Sequence, residues 1–152
     1  MSAPKVGRQS SLSGSSGRRA GLPDREMVPG ADLVARDAAG ALELGRRIVD
    51  LAADKKAADI VLIGIAELTT VADYLVICSG SSERQLGAIA DGIVAGLREV
   101  GVRPIGREGA PGAHWVLLDV GAVVVHVFAP PERDYYQLER LWADAPTVLR
   151  VQ

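Results

Sequence analysis

Apolar positions recur at helical spacing in two segments of the chain. The first covers residues 40–53, and the second begins at Leu86 and continues to Leu97 with apolar side chains at i, i+3, i+4, i+7, i+8 and i+11. Ser82 and Gln85 stand in capping-box spacing before the second segment, and Gly101 is suited to end it. The pattern therefore predicts two amphipathic helices.

Short apolar runs, typical of buried strands, lie between and after these helices. Asp59–Ile65 and Tyr74–Cys78 are joined by a short link, which favours an antiparallel pair over a parallel crossover. Trp115–Asp119 and Ala122–Phe128 flank Gly121 and predict a hairpin. Val102–Arg107 is a weaker strand, and the proline within it indicates an edge position.

The last predicted element is a helix over residues 132–142, with one apolar side formed by Tyr135, Leu138, Leu141 and Trp142. The resulting order, α-β-β-α-β-β-β-α, predicts a single α/β domain over residues 39–145. Its mixed sheet has about five strands and is flanked by helices. Residues 146–152 are predicted to form a C-terminal tail.

The first 38 residues differ in composition from the rest. Residues 1–25 hold five basic side chains and one acidic side chain, and Ser10–Gly21 consists largely of serine, glycine and arginine. Such a segment cannot bury enough apolar surface to order itself, so residues 1–38 are predicted to be a flexible basic tail. A transit peptide stays open beside a bacterial extension, because the first 23 residues contain Arg and Ser and lack acids.

Charge and hydropathy exclude several classes of protein. The net charge is −2, and residues 39–152 carry eleven basic and fifteen acidic side chains, which argues against a broad nucleic-acid-binding face. No apolar run approaches the roughly 18 residues that a membrane helix needs. The single Cys78 excludes an intrachain disulfide and fits a reducing compartment. We expect a cytoplasmic protein without a cofactor.

Large amphipathic side chains are concentrated between residues 107 and 142. Both tryptophans, both histidines and two of the three tyrosines lie there, although only 4% of the chain is aromatic. Such side chains are the usual anchors of protein–protein contacts. Trp115 alternates onto one strand face with Leu117 and Asp119. A face that includes an acid is less suited to a sealed core, so we interpret Trp115 as an interface residue rather than core. Asp119 either orients a basic group of a partner or terminates the strand.

Enzymatic and metal-binding alternatives have weaker support. Residues 79–82, Ser-Gly-Ser-Ser, could bind phosphate at a helix N-terminus, but a Walker lysine is missing and Asp91 is the one acid between Leu86 and Leu97 of the helix that follows. Catalysis is therefore not predicted, although weak anion binding stays open. His126 is interpreted as a hydrogen-bonded structural residue, and Cys78 as a buried small hydrophobe. A self-associating protein whose aromatic patch forms a homodimer is a further alternative.

Four motifs together resemble those of the ribosomal silencing factors, also called the Iojap-like proteins. They are ADYLVICSGSSERQ at 72–85, REG at 107–109, HWVLLDVGAVVVHVF at 114–128 and R-x-x-Y-x-L-E-x-L-W at 133–142. The resemblance covers about residues 40–142. It departs from the family pattern at the hairpin turn, where Ala122 replaces the usual acid.

The resemblance implies a fold distantly similar to nucleotidyltransferases without their catalytic acids, and a task that is not enzymatic. Such proteins bind the large ribosomal subunit through the fourteenth protein of the universal set, on the face that meets the small subunit. Occupying that face blocks joining of the subunits and represses translation. The partner-binding residues that we expect on this basis are Trp115, Asp119, Val120, His126, Arg133, Tyr136 and Arg140.

Overall fold

The computed structural model describes residues 38–152, so the predicted basic tail lies outside the described residues, except for its last one. The helices are α1 (Ala38–Asp54), α2 (Glu83–Glu99), α3 (Pro130–Tyr136) and α4 (Leu138–Leu141). The strands are β1 (Ala58–Gly64), β2 (Tyr74–Ser79), β3 (Gly106–Glu108), β4 (Trp115–Asp119), β5 (Val123–Phe128) and β6 (Thr147–Val151). The predicted α/β class is confirmed.

The strands form one mixed sheet in the order β3-β4-β5-β2-β1-β6. The predicted antiparallel pairing of β1 with β2 is confirmed, as is the hairpin of β4 and β5, where Trp115 faces Phe128 and Asp119 faces Val124. Strands β2 and β5 are parallel, and helix α2 lies in the connection between them. The weak strand shrinks to β3, which lies at the sheet edge, and Pro104 precedes it.

Helices α1 and α2 pack on one face of the sheet because their apolar stripes are buried there. Leu44, Ile48, Ile89 and Ile93 are fully buried in the same cluster as the inward residues of β1, β2 and β5. A glycine of α2 allows close approach of α1. A Cβ added at Gly96 would come within 2.3 Å of the side chain of Leu51. The helix–helix distance therefore depends on the absence of a side chain at this position.

The opposite face of the sheet carries a second apolar cluster. Its buried members come from β1, β2, β4 and β5, from the link between β1 and β2 and from the segment after α3, and they include Trp115, Phe128 and Leu138. Alternation along each strand produces this arrangement, because odd and even positions point to opposite faces. The sheet is therefore apolar on both sides.

Two predictions about the C-terminal part are wrong. The sheet has six strands instead of about five, because Thr147–Val151 pairs antiparallel with β1 instead of forming a tail. The single helix over residues 132–142 is interrupted at Gln137, whose φ of 46° is left-handed, so α3 and α4 are separate. Consequently Tyr135 and Leu141 are exposed, while Leu138 is buried.

Candidate interaction surface

Trp115 is buried beneath helix α3. Only 5% of the residue is exposed, and its ring lies 4.6 Å from that of Phe128 and 4.7 Å from that of Tyr136. Trp115 is therefore part of the core, and the interpretation that excluded it from the core is wrong. The chain turns back after β5, and α3 places Tyr136 over the indole. Trp115 supports the surface from below and does not form it.

The indole of Trp115 is also hydrogen-bonded. Its Nε1 donates to Nδ1 of His126 over 2.9 Å, and His126 is completely buried. Burial lowers the pKa of His126 to about 3, so the ring is neutral near pH 7. Because Nδ1 accepts the indole proton, the proton of the neutral ring lies on Nε2. The interpretation of His126 as a hydrogen-bonded structural residue is confirmed.

Helices α3 and α4 expose three large side chains. Tyr135 is 79% exposed, Tyr136 37% and Leu141 72%, and the rings of the two tyrosines meet edge to face at 4.9 Å. We call these three residues the tyrosine surface. Sequence reasoning placed Tyr135 and Leu141 on a packed helix side, and only the break at Gln137 shows otherwise. Tyrosine side chains on a packed support are typical of protein–protein contacts.

Arg133 holds the two short helices together. Its guanidinium forms a two-pronged ion pair with Glu139 of α4, at 3.1 Å from Nε and 2.8 Å from the second terminal nitrogen. The remaining terminal nitrogen donates to the Ser79 hydroxyl at the end of β2 over 2.8 Å. The Arg133 side chain is 12% exposed, so it fixes α3 and α4 instead of lying on a solvated face. Arg140 is exposed.

Asp119 and Val120 lie at the other end of the hairpin. One carboxylate oxygen of Asp119 accepts from the backbone nitrogen of Gly121 over 3.0 Å, and Gly121 has a left-handed φ of 90°. Val120 is buried and its backbone nitrogen bonds the carbonyl of Val123. Trp115 and Asp119 are separated by four residues of extended strand, about 13 Å. The structure therefore does not bring Asp119 into one patch with Tyr136.

The Ser-Gly-Ser-Ser turn is occupied by a side chain of the protein itself. Gln85 Oε1 accepts from the Ser81 backbone nitrogen over 2.6 Å, and the Gln85 backbone nitrogen donates to the Ser82 hydroxyl over 3.1 Å. Gln85 Nε2 reaches the carbonyls of Lys55 and Lys56 after α1. The predicted cap is thus confirmed. The Gln85 side chain links the start of α2 to the end of α1, and it engages a backbone N–H group that a bound anion would need.

Other reactive groups are enclosed or dispersed. Burial raises the pKa of the Cys78 thiol to about 12, so Cys78 is a buried small hydrophobe as predicted. Within residues 38–152, His, Cys, Asp and Glu side chains form no group of three that could hold a metal ion. None of the helices in this part of the chain is long and apolar enough to cross a membrane.

Comparison with known proteins gives a consistent result. Residues 38–152 match the family model described as ribosomal silencing factor during starvation. A ribosomal silencing factor from Halalkalibacterium halodurans is 45% identical over 106 residues, covering 70% of this chain and 91% of that protein. The corresponding Bacillus subtilis factor is 48% identical, covering 61% of this chain and 79% of its own length. A mouse protein named for mitochondrial assembly of the ribosomal large subunit is 33% identical, over 62% of this chain and 43% of its own length.

A solved structure shares the fold. The crystal structure of a Chromobacterium violaceum protein superposes with a TM-score of 0.66 at 37% identity, covering 67% of this chain and 85% of that one. The family-model match over residues 38–152 includes the sheet, the helices that flank it and the segment that carries the tyrosine surface. The chain belongs to the ribosomal silencing factor family.

Proposed function

We propose that this protein binds the large ribosomal subunit in the cytoplasm and blocks its joining to the small subunit, which represses translation. The partner is the fourteenth protein of the universal large-subunit set, on the face that meets the small subunit. The observation that carries the proposal is the family match over residues 38–152. The name of the mouse relative, which refers to assembly of the ribosomal large subunit, supports the choice of subunit.

The tyrosine surface is the part of the domain best suited to meet that partner. Tyr136 rests on Trp115, so its ring is held in place before binding and loses little conformational freedom. Arg140 is exposed on α4 and can contact polar groups of the partner at the rim of the interface. We assign direct contact to Tyr136 and Arg140. Trp115, His126 and Arg133 contribute by supporting them, and Asp119 and Val120 by shaping the hairpin turn.

A subunit-joining assay tests the function. Purified large and small subunits are mixed with the protein, and whole ribosomes are separated from free subunits on a sucrose gradient. We expect the protein to sediment with the large subunit and the yield of whole ribosomes to fall. An unchanged ribosome yield at saturating protein would refute the proposal.

A pair of matched variants tests the surface. Tyr136→Ala removes a central contact, and truncating such an anchor typically costs about 2 kcal/mol, which corresponds to roughly a 30-fold loss of affinity. Leu68→Ala removes a side chain that is 50% exposed on the link between β1 and β2, and should bind as the unaltered protein does. Equal affinities of the two variants would exclude the tyrosine surface as the contact.

Self-association through the same surface is the second candidate, because Tyr135, Tyr136 and Leu141 form an exposed group of large side chains. Sedimentation of the free protein distinguishes the two. A monomer that binds large subunits supports the ribosomal function. A dimer that Tyr136→Ala dissociates, without binding to subunits, supports self-association.

A further inference from the structure

His114 lies between two carboxylates that belong to different helices. Its Nε2 is 2.8 Å from Oε2 of Glu83 in the first turn of α2, and its Nδ1 is 3.2 Å from Oε2 of Glu132 in the first turn of α3. The carbonyl of His114 also accepts from the backbone nitrogen of Ala129, just before α3, over 2.8 Å. His114 therefore joins the start of β4 to both helices.

The geometry requires a particular protonation state. A neutral imidazole carries one N–H and can donate to one carboxylate only, whereas both ring nitrogens of His114 lie at hydrogen-bond distance from carboxylate oxygens. The arrangement is satisfied by the imidazolium, which donates twice. Hydrogen bonds to Glu83 and then to Glu132 raise the pKa of His114 above its ordinary value of 6.5. These two carboxylates are the charged groups that face the ring from α2 and α3.

The contact with Glu132 is next to the contact that supports the tyrosine surface. Glu132 and Tyr136 are four residues apart in α3 and lie on the same side of the helix. His114 directly precedes Trp115, the first residue of β4. Two neighbouring contacts thus hold α3 against the sheet, one ionic between His114 and Glu132 and one aromatic between Trp115 and Tyr136.

We propose that the imidazolium of His114 positions helix α3, and that loss of its proton loosens α3 and weakens binding through the tyrosine surface. The part that concerns binding rests on the function proposed above. Glu132 makes the position sensitive to charge, because its side chain is only 20% exposed and its second oxygen, Oε1, is buried without a hydrogen-bond partner among residues 38–152. Once His114 is neutral, its single N–H can serve only one of the two carboxylates, and the partly buried carboxylate of Glu132 has lost the positive charge beside it and gains from turning towards water.

The direction of the pH effect follows from the raised pKa. Below pH 6.5 His114 is protonated in both the folded and the unfolded chain, so its ion pairs with Glu83 and Glu132 contribute fully to stability. As pH rises through the higher pKa that His114 has in the folded protein, that contribution is lost. His126, the other histidine, is buried with a pKa lowered to about 3 and does not titrate in this range.

The first experiment uses the free protein. The Cε1–H resonance of His114 is followed by NMR against pH, together with the indole N–H resonance of Trp115. We expect a midpoint above 6.5 that both resonances share, and a lower midpoint in Glu83→Gln and in Glu132→Gln. Asp134→Asn, which removes an exposed carboxylate of α3 that does not contact His114, should leave the midpoint unchanged. A midpoint at the ordinary value, or one insensitive to both glutamate substitutions, would overturn the proposal.

The second experiment measures affinity for large subunits below and above that midpoint. Exposed ion pairs are individually weak, so we expect the affinity of the unaltered protein to fall about three- to tenfold as pH rises. His114→Gln should bind weakly at both pH values without a step between them. A step that persists in His114→Gln would overturn the proposal. Absence of subunit binding at every pH would instead refute the proposed function, because positioning of α3 by His114 is decided in the free protein.

Discussion

Replacing Trp115 with phenylalanine removes the indole N–H but keeps an aromatic ring between Phe128 and Tyr136. In the unaltered protein that N–H donates to Nδ1 of His126, which is completely buried. Nε2 of His126 already has no hydrogen-bond partner among the described residues. The substitution therefore leaves both ring nitrogens of a buried histidine without a partner.

The magnitude follows from two contributions. A buried polar atom that loses its partner costs about 1–3 kcal/mol, and the smaller ring leaves space that costs about 1 kcal/mol more. We expect Trp115→Phe to lower the free energy of unfolding by about 3 kcal/mol, which corresponds to a fall in melting temperature of about 10 °C for a domain of this size. Trp115→Ala, which also removes the ring, should cost about 3–5 kcal/mol.

The double variant isolates the hydrogen bond. When His126 is also replaced by leucine, a residue of similar volume, neither partner is left buried and unpaired. Trp115→Phe/His126→Leu should therefore be about 1–2 kcal/mol more stable than the sum of the two single changes predicts. Urea unfolding followed by far-ultraviolet circular dichroism measures all three variants, because this signal does not depend on the tryptophan that is replaced.

Trp142→Phe is the matched control for the loss of an indole. Trp142 is only partly buried, so its replacement should cost less than about 1 kcal/mol. Equal losses for Trp115→Phe and Trp142→Phe would contradict the burial of Trp115. Strictly additive effects of the Trp115 and His126 substitutions would contradict the hydrogen bond between them.

Three further predictions concern the scaffold and the cysteine. Gly96→Ala should destabilise the fold by about 1–3 kcal/mol, because the added Cβ would lie 2.3 Å from the side chain of Leu51. A Cβ added at Gly87 in the same helix would meet no neighbouring atom within 4 Å, so Gly87→Ala should stabilise the fold by about 0.5–1 kcal/mol. Thermal unfolding of the two variants compares them, and equal shifts would disprove the close approach of the helices. Gln85→Glu should lower the free energy of unfolding by about 1–3 kcal/mol, because a carboxylate would face the carbonyls to which Gln85 Nε2 donates. A denaturation curve that matches that of the unaltered protein would exclude the role of Gln85 in linking α1 and α2. Cys78, with a pKa of about 12, should not react with a thiol reagent at pH 8 until the protein unfolds, and rapid labelling of the native state would show that it is accessible.

Elements with strong local periodicity could be predicted from the sequence. Helix α2 is an example, because its apolar stripe, its Ser82 cap and Gly101 all lie within one continuous segment. The hairpin of β4 and β5 is another, since two apolar strands and one glycine turn specify it locally. In such segments the spacing of apolar side chains alone predicts which face is buried, whichever helix or sheet packs against that face.

Strand β6 and the break at Gln137 could not be predicted in this way. Residues 147–151 include no fully buried side chain, and they become a strand because β1 offers an unpaired edge. At Gln137, contacts between Arg133, Glu139 and Ser79 hold a left-handed residue that a continuous helix would exclude. In both places a group that is distant in sequence contributes: β1 pairs with β6, and Ser79 accepts from Arg133 beside the break.

The interaction surface shows the same division. The concentration of tryptophan, histidine and tyrosine between residues 107 and 142 can be read from the chain, and it indicates the region. The position of Trp115 beneath Tyr136 and the contact of His114 with Glu83, thirty-one residues away, arise only when the chain folds. Alternation along a strand assigns a residue to a face of the sheet, whereas its exposure depends on which later segment folds over that face.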